Sequence, residues 1–461
     1  MMAKISRSKV GTIDIVEVID GHPIGSFQIK LILLCGLVAM LDGFDTQSIG
    51  FVAPIIAPAL GININAFGPI FSSNLIGMAI GAMVLGPLAD RVGRKAIITL
   101  STFAFGLFSL LTILVDSSAS LMTYRFFTGL GLGAAMPNII ALTAEYAPKR
   151  ARAWLVTIMF TGFPLGAVIG GIISAQMVPV FGWKSVFLLG GASPILLAIL
   201  LVASLPESIR FLVSKGRDTE KVSVILKKIA ANISCPPGQT FSIPEKKLES
   251  VSVSHLFSEG RALGTLLLWV PFFMNLLLLF FMYNWLPAVL QQAGFPITKA
   301  IIATVLFNVG GIIGGLIQAR IADRKGPFGV LGAAYAVGAI FIAIIGMVGS
   351  SVPLIMASVF AAGFCVVGAQ FGANSLAASF YPTAVRATGI GWALGIGRVG
   401  SIVGPLIGGA LMSLHWDFSN LFLIAAVPAA CGAVAILTLG HVARKEPDLP
   451  SDIAVVSLEQ H

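Results

Sequence analysis

The sequence predicts an all-α membrane protein of twelve transmembrane helices, arranged as two pseudo-symmetric six-helix bundles. Three observations predict it. Of 461 residues, 57% are hydrophobic and 11% charged, with a mean hydropathy of +0.95, whereas soluble domains are about 25% charged. Twelve apolar stretches reach the roughly 20 helical residues that a hydrocarbon core demands. A loop motif and several glycines, prolines and arginines recur at offsets of 233 or 234 residues.

The stretches fall near 28–57, 67–89, 96–115, 119–143, 153–179, 184–204, 262–290, 299–322, 328–350, 353–379, 387–413 and 419–441. Residues 1–27 mix acids and bases without an apolar run, so the first helix must serve as its own insertion signal. One set of connections carries Arg91, Arg94, Lys95, Lys149, Arg150, Arg152, Arg324, Lys325, Arg386, Arg444 and Lys445, while the other set carries only Lys184 and Lys299. The positive-inside rule makes the first set cytoplasmic, and an even helix count leaves both termini there. The net charge of +9 is thus topological and calls for no nucleic-acid partner.

This divides the chain into a cytoplasmic tail 1–27, a first bundle 28–204, a cytoplasmic linker 205–261, a second bundle 262–441 and a tail 442–461. The linker holds nine Lys/Arg, six Asp/Glu and the turn-forming Cys235-Pro236-Pro237-Gly238. Its stretch from Thr219 to Ala230 suits a short amphipathic helix at the membrane surface. The bundles repeat: Gly86-Pro-Leu-Ala-Asp90-Arg91-Val-Gly93-Arg94-Lys95 returns as Ala319-Arg-Ile-Ala-Asp323-Arg324-Lys-Gly326, and Pro148, Arg152, Gly166 and Gly170 match Pro382, Arg386, Gly400 and Gly404. Two such halves suit a transporter that rocks around a midplane site. Four cysteines with neither CxxC nor metal spacing indicate no disulfide, metal or cofactor.

Depth selects the candidate site. Only Asp42 and Asp45 among the acids, and only Arg125 and Arg398 among the bases, lie well inside apolar segments. Intramembrane charge costs several kcal/mol on insertion scales (~3 kcal/mol) and marks function by default. Asp42 and Asp45, spaced i, i+3 around Gly43, share one helical face that can line a cavity and carry protons. The planar fork of arginine suits a carboxylate, so Arg398 and Arg125 are the candidates for an organic anion, with a fixed pair between Arg125 and one of the acids as the alternative. His22, His255, His415, His441 and His461 all lie in loops or at helix ends. Proton coupling is then left to Asp, whose hold on a proton changes as an arginine comes or goes.

Tyr283, Asn284, Trp392 and Phe163 are candidates for contact with an apolar ring and its substituents. Trp285-Leu286-Pro287 marks a helix break or outer gate. Asp90 and Asp323 end helices at Gly turns, where a carboxylate can accept from the next helix's amides and pair with Arg91, Arg94, Arg324, Arg152 or Arg386; Glu145 joins this gating set. No deep His, metal cluster or nucleophile with a base supports an enzyme.

GPLADRVGRK and Arg125-Phe-Phe-Thr-Gly129-Leu-Gly131-Leu-Gly133 resemble signatures of the major facilitator superfamily. The opening LDGFDTQSIGFVAP, with Ala144-Glu145-Tyr146 and Gly397-Arg398-Val399-Gly400, resembles the aromatic acid:proton symporter family, the 4-hydroxybenzoate and protocatechuate carriers especially. Pro327-Phe328 departs from the basic residues of the second loop motif, which weakens a latch in that half. The resemblance implies a monomeric, proton-coupled importer of a small aromatic carboxylate in the bacterial inner membrane, partnered by lipid, protons and cargo. An importer of muconate or a sugar acid, or a membrane sensor that binds such acids without moving them, is the alternative; the short connections speak against the sensor.

Overall fold

The computed structural model describes residues 12–215, 219–230, 233, 239–243, 253–258, 260–348, 351–382 and 385–445; the Cys235-Pro236-Pro237-Gly238 turn and the tail from 446 onward lie outside them. Twelve helices are long and apolar enough to span a bilayer. In the first half they are α1 (Ser26–Ala59), α2 (Ile64–Val92), α3 (Arg94–Leu114), α4 (Ser118–Tyr146), α5 (Arg152–Phe181) and α6 (Lys184–Ser204). In the second they are α7 (Ala262–Gln292), α8 (Ile297–Lys325), α9 (Pro327–Met347), α10 (Val352–Phe380), α11 (Arg386–Ser413) and α12 (Phe418–Lys445). The protein is a multi-pass membrane protein, and large apolar side chains such as Leu33, Leu100, Leu196 and Leu316 stand on its outside, where lipid replaces water as solvent.

The sequence repeat reaches into the packing. In the first half α1 packs on α5, α2 on α4 and α3 on α6; in the second α7 packs on α11, α8 on α10 and α9 on α12. Small residues cause this, because helices in lipid associate through close backbone contact. A Cβ on Gly166 would run into the Met40 carbonyl of α1, and one on the matching Gly400 into the Phe273 carbonyl of α7. The loop motifs turn at Gly93 (φ 110°) and Gly326 (φ 86°), backbone angles that L side chains rarely adopt.

The halves meet through three helix pairs, α1 with α7, α2 with α11 and α5 with α8. Exchanging the halves maps this set onto itself, as a pseudo-two-fold axis requires. Named contacts between them cluster toward the face opposite the chain termini: Phe71 stands edge-on to Trp285 at 5.2 Å, Ser72 donates to the Ile402 carbonyl, and Thr298 to that of Ala175. There one apolar core runs through both halves and includes Phe51, Phe71, Trp285 and Phe307. Toward the termini the cores separate, one around Leu31, Ile139 and Leu201 and another around Leu268, Tyr335 and Phe380. The molecule is fused at one face and divided at the other.

Two sequence expectations need correction. The helix Thr219–Ile229 forms, but its apolar residues Val222, Ile225, Leu226 and Ile229 are buried with Ile15 and Ile19 in the first half's core, so it docks on protein rather than on a bilayer surface. Beside it, strand Thr12–Asp14 pairs in parallel with Thr240–Ser242. Nor does Trp285-Leu286-Pro287 break its helix: α7 continues to Gln292, with Trp285 fully buried and its indole N–H donating to the Pro405 carbonyl at 3.0 Å.

Candidate functional site

Asp42 and Asp45 lie on the same apolar helix α1, yet their neighbours separate them. Asp45 turns into the first half. Its carboxylate accepts from Arg125 at 2.8 and 3.3 Å and from Ser109 of α3 at 2.6 Å, and its carbonyl takes a further Arg125 bond at 3.2 Å. Both side chains are 0% exposed, and the guanidinium lies 5.8 Å from the Phe187 ring of α6. Arg125, expected as an anion-binding residue, is therefore enclosed by its own bundle with Asp45 as its anion. The shared face of the two acids is a weaker constraint than what packs on either side of it.

Asp42 looks the other way. Its Oδ1 accepts from Thr46 at 3.1 Å, and its buried Oδ2 has no hydrogen-bond partner. The opposing charge it feels is that of Arg398 on α11, in the other half. Counted from the ends of α1 and α11 at the fused face, Asp42 lies about 25 Å deep and Arg398 about 22 Å, so the two share a level. Among the described residues, the Arg398 guanidinium has no ion pair and no hydrogen bond, and the residue is partly exposed. A guanidinium without an ion pair, within electrostatic range of a half-satisfied carboxylate in the other half, can take up an anion while the carboxylate takes up or releases a proton.

The ring candidates scatter. Tyr283 and Asn284 sit at the seam, where a Cβ on Gly50 of α1 would strike their backbone; Tyr283 stands edge-on to Phe307 at 5.8 Å, and the Asn284 amide donates to its own helix at Phe280. Phe163 meets Gly43 through its backbone carbonyl while its ring stacks on Phe160 at 6.3 Å. Trp392 is not brought to Arg398. Six residues away on α11 it lies about 120° round the helix, 44% exposed and stacked on Trp269 at 6.0 Å.

At the termini face of the first half, Arg94 binds Glu145 at 2.7 Å and Asp90 at 3.3 Å, and Glu145 accepts from Ser208 at 2.5 Å. The amide of Lys95 is capped by Glu207 at 3.0 Å, not by Asp90 as expected. Glu207 also accepts the Tyr146 hydroxyl on its carbonyl at 2.6 Å. This residue was missed because it belongs to the connection after α6, far from the loop motif in sequence. Arg152 and Arg386 both fold back onto the carbonyl five residues earlier, at Ala147 and Tyr381. Arg91, Asp323 and Arg324 are exposed and, among the described residues, without an ion pair. The second half has Pro327 in the place of Arg94 and, among the described residues, builds no matching network.

The sequence profile of the Major Facilitator Superfamily matches residues 35–393 and 330–456. A gallate transporter of Pseudomonas putida is 41% identical over 93% of this chain and 95% of its own length. The 4-hydroxybenzoate transporter PcaK of Pseudomonas aeruginosa is 41% identical over 96% and 99%, and a benzoate transport protein of Acinetobacter baylyi 34% over 96% of each. The solved structure of the xylose transporter XylE from E. coli, in a partially occluded inward open conformation, superposes with a TM-score of 0.69 at 19% identity, covering 91% of this chain and 100% of that one. The chain belongs to the major facilitator superfamily, and so to membrane transporters rather than enzymes.

Proposed function

We propose that the chain imports an aromatic carboxylate of the hydroxybenzoate class, together with protons, by alternating access. The observation that carries the reading is Arg398, a partly exposed guanidinium without a partner, set opposite Asp42 across the seam between halves. A cargo carboxylate binds the Arg398 fork. That takes from Asp42 the cation it faces, and a proton on Asp42 keeps the buried seam free of net charge. Cargo and proton are thereby bound as one unit.

The fused face and the divided face fit one end of a rocking cycle in which the site is reached from the side of the termini. The basic connections at that side support placing it on the cytoplasmic side of a bacterial inner membrane. Support for an aromatic cargo comes from relatives whose names specify gallate, 4-hydroxybenzoate and benzoate, and from the aromatic pair Tyr283 and Phe307, which belongs to the apolar core shared by both halves. The test is uptake of labelled 4-hydroxybenzoate by reconstituted vesicles under an imposed pH gradient. Accumulation should follow the gradient, and Asp42→Asn should abolish it while exchange of cargo for cargo continues; accumulation by Asp42→Asn equal to that of the unaltered protein would refute the coupling.

A further inference from the structure

At the seam, beside the apolar contacts of the fused face, two side-chain amides hold each other. The Gln47 amide of α1 donates to Asn308 Oδ1 of α8 at 3.2 Å, and the Asn308 amide returns a bond to Gln47 Oε1 at 2.9 Å. Both residues are fully buried, and Asn308 also donates to the Thr304 carbonyl of its own helix at 2.9 Å. Among the described residues the two Gln47–Asn308 bonds are the only side-chain to side-chain hydrogen bonds that join the halves. The others end on backbone carbonyls, at Ile402 and Ala175.

Its depth gives it meaning. Gln47 lies about 18 Å and Asn308 about 16 Å from the helix ends at the fused face, while Arg398 lies about 22 Å deep. The amide pair is therefore roughly one helical turn beyond the anion-binding guanidinium, on the side that is closed. A substrate gripped by its carboxylate at Arg398 with its ring directed along the seam presents its far substituent to these amides. When the halves part at this face, each amide loses its partner, and a buried unpaired amide costs about 1–3 kcal/mol. A ring hydroxyl, being both donor and acceptor, replaces either arm; a bare ring edge replaces neither.

We propose that the Gln47–Asn308 amide pair is a cargo-sensitive tie between the halves: it keeps the face opposite the termini closed, and it is released by a polar substituent on the ring. The cargo geometry rests on the function proposed above. The tie itself does not. These are positioning and specificity residues, separate from the charges at Asp42 and Arg398.

The experiment uses the full chain in vesicles, with Thr298→Cys as a reporter at the closed seam and a membrane-impermeant thiol reagent added from that face. Without cargo, labelling should be slow, and Gln47→Leu or Asn308→Leu should speed it about tenfold, as expected for removing two hydrogen bonds of modest net worth. In the Gln47-containing protein 4-hydroxybenzoate should speed labelling about fivefold more than benzoate does. In Gln47→Leu the two ligands should act alike. Unchanged labelling in both leucine variants overturns the tie, and a 4-hydroxybenzoate advantage that survives in Gln47→Leu overturns the sensing. If neither benzoate binds the unaltered protein, the function proposed above fails along with the sensing, while the effect of the leucine variants without cargo still decides the tie.

Discussion

Asp42 and Asp45 are the same amino acid three positions apart, and their surroundings give them opposite work. Asp45 has two arms of Arg125 and the Ser109 hydroxyl, a closed set that leaves its charge satisfied. Removing one member of a buried pair costs about 3–5 kcal/mol, because the other charge is left without compensation. Asp45→Asn should accordingly lower the thermal stability of the detergent-solubilised protein severely, and adding Arg125→Gln should restore much of the loss; a single substitution without thermal effect would argue against a brace. The sequence placed both acids within the membrane, since depth follows from counting. It could not say which acid takes which arginine. A 60° difference in direction is decided by Ser109, Gly190 and Phe187, residues of α3 and α6 that no local pattern links to α1. Glu207 was illegible for the same reason, since its partners lie 112 and 61 positions away.

At the level of helices, the sequence was far more readable. The offset repeat announces paired packing, and the glycines that carry it sit where one backbone meets another, as Gly166 does against Met40. Gly166→Val should prevent α5 from seating on α1 and abolish recovery of folded protein, while Gly391→Ala, whose added carbon would meet nothing within 4 Å, should leave yield unchanged; size-exclusion profiles of the two variants make the comparison. Helix ends were read less well. Trp285-Leu286-Pro287 suits either an interruption or an outer gate; of these the interruption is absent, since α7 runs on to Gln292 with Trp285 bonded to the Pro405 carbonyl and Phe71 packed against it from the other half. The short helix Thr219–Ile229 has the extent its sequence predicts but covers protein, because an amphipathic stripe identifies an apolar partner without distinguishing lipid from a protein core.

Over the whole molecule, the two halves share a fold but, among the described residues, not a charge network at the termini face. The first half fastens Arg94 to Glu145 and Asp90 and caps α3 with Glu207, whereas the second puts Pro327 and Phe328 at the matching positions. Glu145→Gln should keep the Ser208 contact and lose the ion pair, lowering maximal uptake several-fold with little change in apparent affinity, measured as initial rates over a range of cargo concentrations. A final consequence belongs to the sealed partnership of Asp45 with Arg125. Under the proposed coupling, with that acid held by Arg125, a single carboxyl remains to accompany each monovalent cargo, and every loaded crossing would move zero net charge. Clamping the vesicle voltage at any value, with equal pH inside and out, should therefore leave the steady-state cargo ratio at unity, although each elementary charge moved would otherwise be worth about 2.3 kcal/mol per 100 mV.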